Sequence, residues 1–153
     1  PFIGGGALLF DLQPKRAIIN DYNEELINVY RIIRDYPYEL IEDLKSHENT
    51  AEYFYKIRTI DRSTTFSNLT NIQRASRIIY LNKTCYNGLY RVNNAGEFNS
   101  PFGKYKNPNI VNAPVIKAVS KYLKTNDIQI SHGDYESCLN NISPNSFLYL
   151  GPP

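Results

Sequence analysis

The sequence predicts an α/β fold built on an open parallel sheet, and three observations carry that expectation. Short apolar runs stand at 16–21, 127–132 and 146–150, each the length of a strand and bounded by turn residues. Segments with helical spacing lie between them, the clearest having Leu26, Val29, Tyr30 and Ile33 on one face. Polar residues or glycine follow each run: Asp21-Tyr22, Gly133-Asp134-Tyr135 and Gly151-Pro152-Pro153. In an open α/β sheet those positions fall at the carboxyl edge, where ligands bind.

Taken in order, Phe2-Ile3-Gly4-Gly5-Gly6 reads as a glycine-rich turn opening a helix over 7–12. Without Cβ atoms a ligand can approach such a backbone closely, although a plain structural turn has the same composition. Pro14 ends that helix, because the residue before proline is pushed out of the helical region. Arg16 to Asp21 reads as a buried strand with a polar end. Asn23 is an N-cap for the helix that follows. Pro37 breaks that helix, and 38–45 resumes it. Further helices are expected over 51–60, 70–84 and 115–123. Residues 86–108, rich in Asn, Gly, Tyr and Phe around the turn signal Asn94-Ala95-Gly96, read as a hairpin or ordered loop. Strands are expected at 127–132 and, from the unbroken run Ser146 to Leu150, at 146–150, the latter neighbouring the other two in parallel.

This divides the chain into an α/β part, 1–49 with 113–153, and a helical and hairpin-loop insertion, 50–112. No Met opens the sequence, and no strand precedes the glycine run. The expectation is therefore a piece of a longer protein whose sheet is incomplete at both ends.

Charge and cysteine usage narrow the function classes. The net charge is only +2, yet residues 74–106 hold Arg74, Arg77, Lys83, Arg91, Lys104 and Lys106 against Glu97 alone. Such a patch fits a polyanion met by one face, or a solvated helix face. Cys85 and Cys138 have no metal-like spacing. They read as structural thiols of a cytoplasmic protein, and no metal is expected. No apolar stretch approaches the roughly 18 residues of a membrane span, so no membrane partner is expected.

The candidate chemistry follows the sheet edge. Asp21 ends the strand after the glycine run, where nucleoside-binding folds put a carboxylate to accept from ribose hydroxyls. Read alone, it could equally be a helix N-terminal charge. Asp134 can accept from an exocyclic amine of an adenine, with Tyr135 packing beside it, or can simply cap a helix. The segment from Thr84 to Lys106 mixes cations, amides and aromatics. Asn pairs bidentately with adenine, Arg with guanine, and Lys neutralises phosphate, although aromatics also pack long loops.

Six motifs occur in one order: Pro1-Phe2-x-Gly4-Gly5-Gly6, Asn20-Asp21-Tyr22-Asn23, Tyr86-Asn87-Gly88-Leu89-Tyr90-Arg91, Gly96-Glu97-Phe98-Asn99-x-Pro101-Phe102-Gly103, Gly133-Asp134-Tyr135-Glu136 and x-Pro152-Pro153. In this the chain resembles the Dam-like adenine-N6 DNA methyltransferases, most of all the restriction-system enzymes that methylate GATC. The resemblance runs nearly end to end and is most specific over 87–104. It implies a Rossmann-like methyltransferase sheet with 50–112 as the target-recognition region. It implies S-adenosylmethionine at Phe2, Gly4, Gly5, Gly6, Asp21, Tyr22, Asp134 and Tyr135. Contact with double-stranded DNA is implied for Tyr86, Asn87, Leu89, Arg91, Asn93, Pro101 and Lys104, and a cognate restriction endonuclease as a genetic partner. The family's catalytic motif is Asp-Pro-Pro-Tyr. Here Gly151 stands at the Asp position, followed by Pro152 and Pro153, so the expectation is a chain that is inactive in methyl transfer as written. A catalytically silent relative that binds DNA or cofactor fits the same residues. A nicotinamide oxidoreductase would account for Gly4 to Gly6 and Asp21, but not for 87–104 or the Pro-Pro pair.

Overall fold

The computed structural model describes residues 1–152. Two strands, β1 (Arg16–Asp21) and β2 (Asp127–His132), pair in parallel with Arg16 opposite Asp127 and Asp21 opposite His132. Parallel neighbours need a crossover, and here more than a hundred residues of helix and loop supply it. Among the described residues seven α-helices accompany the sheet: α1 (Ala7–Leu12), α2 (Glu24–Asp35), α3 (Pro37–Leu44), α4 (Ala51–Thr59), α5 (Asn71–Thr84), α6 (Ala113–Thr125) and α7 (Tyr135–Leu139).

Their boundaries have local causes. Asn23 caps α2 by accepting from the Leu26 N–H at 3.2 Å, and Glu24 and Glu25 follow in the first turn, where carboxylates complement the helix dipole. Pro37 opens α3, where a missing N–H costs nothing. Thr50 caps α4, and Thr70 with Gln73 forms a reciprocal capping box on α5.

Three apolar clusters hold the elements together. Leu9, Ile19, Tyr30, Leu123 and Ile128 bury the sheet against α1, α2 and α6. Val29, Ile32, Leu40, Leu44, Ile78 and Ile116 join α2 and α3 to α5 and α6. Phe54, Tyr80, Leu81, Cys85 and Phe98 form the floor beneath the 86–108 loop. Helix α2 thus serves sheet and helical region at once, through adjoining faces. Both cysteines are buried and unpaired.

The expected strand at 146–150 is not formed. Those residues have no regular structure, and Phe147, Tyr149 and Leu150 are 81%, 56% and 51% exposed. A strand exists only through its ladder partner, and among the described residues neither β1 nor β2 extends its pairing to this segment.

Candidate functional site

The glycine run lies across the carboxyl end of β1. The Ile3 N–H donates to the Asn20 carbonyl at 2.9 Å, and Gly6 closes a turn onto the Ile3 carbonyl at the same distance. The Gly4 N–H donates to Asp21 Oδ2 (3.1 Å), while Asp21 Oδ1 accepts from the Asn23 N–H (3.0 Å). One half-buried carboxylate therefore ties the glycine turn to the start of α2. From below, the Tyr30 hydroxyl donates to the Gly4 carbonyl at 2.8 Å. Burial, reinforced by the Asp21 charge, pushes the Tyr30 phenol far up, so it stays a neutral donor. Gly6 has φ +74°, and a Cβ there would meet Phe10 Cε2 and Tyr30 Oη at 2.7 Å; at Gly4 and Gly5 an added Cβ would meet nothing within 4 Å. The turn is thus clamped at Gly6 and open at Gly4 and Gly5, the shape a ligand lying on the backbone requires.

The end of β2 joins the same edge. The Gly133 N–H donates to the Asp21 carbonyl (3.1 Å). Asn20, 1% exposed, donates through Nδ2 to the carbonyls of Gly133 (2.9 Å) and Pro1 (3.2 Å), and its Oδ1 accepts from the Ser131 hydroxyl (2.9 Å). Phe2 and Tyr135 face each other with ring centroids 5.7 Å apart. Asp134 is exposed and caps α7 through Oδ1, accepting from the Glu136 N–H at 3.0 Å. Tyr22 is 76% exposed beside the edge, and its carbonyl meets His132 Nε2 at 3.1 Å. Phe2, Gly4 to Gly6, Asp21, Tyr22, Asp134 and Tyr135 therefore lie along one edge. The donor set suits a nucleoside: open glycine backbone, one tethered and one exposed carboxylate, and two aromatic rings.

The second group of candidates sits on the loop after α5. Its arms meet at two isolated antiparallel bridges, Cys85 with Phe102 and Val92 with Phe98. Backbone bonds Tyr86 N–H to Pro101 carbonyl (2.8 Å) and Asn99 N–H to Arg91 carbonyl (2.9 Å) close it into a hairpin. Tyr86, Asn87, Leu89, Arg91, Pro101 and Lys104 are exposed on it. Asn87 and Lys104 take left-handed conformations, φ 54° and 59°, and the Asn87 N–H donates to the Tyr105 hydroxyl at 3.0 Å. Asn93 is instead turned inward. Its Oδ1 accepts from the N–H groups of Ala95 and Glu97, both at 3.0 Å, and its Nδ2 donates to the Glu97 carboxylate at 2.7 Å. It builds the turn.

The cationic patch is smaller than its residue count. Arg74 is paired with Glu25 of α2, and Arg77, 3% exposed, with Asp61 at 2.9 Å. Lys83, Arg91, Lys104 and Lys106 are left at the surface. Tyr90, 39% exposed, packs edge-on against Phe98 with ring centroids 5.5 Å apart.

Gly151 is half-buried and Pro152 exposed. Among the described residues no hydrogen bond joins them to the β1–β2 edge, and Pro153 lies outside the described residues. Sequence reasoning passed over Asn20, Tyr30 and Asn99. The first two are polar groups on otherwise apolar faces, which is a signal of a buried hydrogen bond. Asn99 holds the Arg91 guanidinium through its side-chain oxygen at 2.8 Å.

A glycine turn and two strand-end carboxylates thus share one parallel-sheet edge of an α/β protein, and a hairpin with surface cations follows α5. The chain belongs to the D12 class of N6 adenine-specific DNA methyltransferases, whose family profile matches residues 1–153. It is 46% identical over 155 residues to the type II methyltransferase M1.LlaDCHI of Lactococcus lactis subsp. cremoris, covering 100% of this chain and 55% of that protein. It is 42% identical over 166 residues to the type II methyltransferase M.MjaIII of Methanocaldococcus jannaschii, covering 100% and 56%. With the DNA adenine methylase of Serratia marcescens it shares 36% over 112 residues, 71% of this chain and 40% of that one. The chain spans about half the length of the first two relatives. Among the described residues no helix is long and apolar enough to cross a membrane, and no cluster of His, Cys, Asp and Glu could hold a metal ion.

Proposed function

We propose that this chain carries the cofactor edge and the target-recognition hairpin of a cytoplasmic DNA methyltransferase with a Rossmann-like sheet. The substrates are S-adenosylmethionine and adenine N6 in a short duplex site, GATC by the family resemblance. The observation that carries the reading is the convergence of the open turn at Gly4 and Gly5 with Asp21 and Asp134 on one sheet edge. S-adenosylmethionine supplies the methyl group. Asp21, already fixed by two N–H donors, accepts from the ribose hydroxyls with its remaining lone pairs. Asp134 accepts from the adenine amine, and Phe2 and Tyr135 flank the ring. Residues 50–112 meet the duplex, with Arg91 at a base edge and Lys104 at a phosphate. Type II relatives suggest a genetically paired endonuclease.

The target adenine leaves the base stack to react. Its N6 lone pair is delocalised, so acceptors must stand where positive charge grows on the amine. The Pro152 carbonyl provides one. Gly151 provides no carboxylate, which favours a second reading: a protein that keeps DNA and cofactor binding while transferring methyl groups slowly. Calorimetric titration of the full-length protein with S-adenosylmethionine tests the cofactor edge. Binding that weakens by about tenfold or more on Asp21→Ala, as loss of a charged hydrogen-bond acceptor requires, supports it; an unchanged affinity rejects the ribose role.

A further inference from the structure

The recognition hairpin lacks the pairing that would hold its own shape. Two isolated bridges are all the ladder it has, and a two-stranded hairpin is marginal in water even when fully paired. Nor does packing fix its tip. A cavity of about 210 Å³, lined among others by Glu25, Phe66, Tyr90, Gly96 and Phe98, lies beneath it.

Charged side chains stand in for the missing third strand. In an antiparallel sheet successive residues bond alternately to the neighbours on either side. The return arm 97–100 follows that rule. Glu97 and Asn99 bond to the outgoing arm, the Glu97 carbonyl accepting from Asn93 and the Asn99 N–H donating to Arg91, both at 2.9 Å. Phe98 and Ser100 face the other way. The Phe98 N–H donates to Asp61 Oδ2 (2.8 Å), the Phe98 carbonyl accepts from Arg62 Nη2 (2.7 Å), and the Ser100 carbonyl accepts from Arg58 Nη1 (3.2 Å). All three side chains come from the end of α4 and the 3-10 turn Ile60–Arg62 that follows it.

Each pin is itself braced. Arg77 holds Asp61 at 2.9 Å and donates to the carbonyls of Ile57 (2.9 Å) and Arg58 (2.8 Å). Arg62 also bonds Glu97 Oε2 (3.1 Å), the oxygen that accepts from Asn93 at the turn. Those hydrogen bonds to Asn93 and Arg62 hold the Glu97 carboxyl below its usual range. The far end of the chain of contacts is Asn99, which aligns Arg91.

We propose that Arg62, with Asp61, is a positioning residue for sequence reading: it sets the height and angle of the hairpin so that Arg91 reaches a base edge. This rests on the reading of the hairpin as the DNA-recognition element. Arg62 is the better probe of the two. Its side chain is 28% exposed against 11% for Asp61, and Asp61, which it pairs at 3.6 Å, keeps Arg77 at 2.9 Å when Arg62 is removed.

The test is a selection by the full-length protein from a duplex pool randomised at its centre, followed by titration of the selected duplex and of a random duplex. The wild-type protein is expected to enrich one short motif. Arg62→Gln should lower the ratio of specific to random affinity by about tenfold or more, the loss of one base contact. Random-duplex affinity, its salt dependence and the thermal midpoint should stay near wild type. Arg62→Lys, able to reach one acceptor but not both, should recover part of the ratio. An Arg62→Gln ratio equal to wild type overturns the positioning role and leaves the DNA-recognition reading standing. A parallel fall of specific affinity, random affinity and thermal midpoint overturns it too, since that is a purely structural loss. A wild-type protein that enriches no motif defeats the recognition reading itself, and the positioning role with it.

Discussion

Asn20 is the residue on which the carboxyl edge of the sheet turns, and replacing it with Leu measures how much. The side chain is 1% exposed and sits between the two strand ends and the start of the glycine turn. Leu has similar size but removes the Nδ2 donors, leaving the Gly133 and Pro1 carbonyls without them. Ser131 loses the Oδ1 acceptor but keeps the Ile19 carbonyl at 3.2 Å, so its loss counts little. A stranded buried partner costs about 1–3 kcal/mol. The Pro1 bond, the longer of the two at 3.2 against 2.9 Å, belongs at the bottom of that range, and the added apolar burial returns roughly 1 kcal/mol. A net loss of about 1–3 kcal/mol follows. Asn20→Asp should be worse than Leu, because a carboxylate would face two carbonyl oxygens with no proton to offer. Urea unfolding of the full-length protein, read as a lower midpoint at unchanged slope, is the assay. A Leu variant within about 0.5 kcal/mol of wild type, or an Asp variant more stable than Leu, would refute this account of the edge.

Two further outcomes are expected. The His47 side chain is 7% exposed, stacked on Tyr80 at 4.5 Å and hydrogen-bonded to Tyr53 (3.0 Å) and Ser76 (2.8 Å), with Asp43 at 3.9 Å. Burial pushes its pKa down, and Asp43 opposes this only in part. The unfolded chain then binds a proton that the folded one refuses, so stability should fall as pH drops through about 6.5; thermal midpoints of His47→Gln should show a shallower fall, and an equal slope would clear His47. On DNA, Arg91→Ala should cost about 1–3 kcal/mol at one base and relax specificity there, whereas Lys104→Ala should weaken all duplexes alike and flatten the salt dependence. Equal losses on specific and random duplexes for both variants would reject base reading by Arg91.

Elements whose causes are local were legible in the sequence. Asn23 caps the helix that follows it and Pro37 parts α2 from α3, and both formed strands end where Asp21 and His132 end the apolar pattern. The run at 146–150 carries the same pattern, but strand formation needs a neighbour that pattern does not name. Charge suffered the same way. Counting cations over 74–106 cannot see Glu25, 49 residues from Arg74, or Asp61 beside Arg77. Asp21 and Asp134 both have structural duties: one ties the start of α2 to the glycine turn, and the other caps α7. Asn93, a residue type suited to adenine, spends its amide on the turn, and the work of aligning Arg91 falls to Asn99.

Methyl transfer by the full-length protein, compared between Gly151 and Gly151→Asp, tests the account most directly. A tritiated-methyl assay under single-turnover conditions isolates the chemical step, with DNA and S-adenosylmethionine affinities measured alongside. The account predicts slow transfer with Gly151. It predicts a rise of about 10²–10³ on restoring the carboxylate, the usual worth of a preorganised partner for developing charge, with both affinities little changed. Ordinary turnover by the Gly151 protein, or no rise with Asp, would contradict the assignment of the catalytic motif.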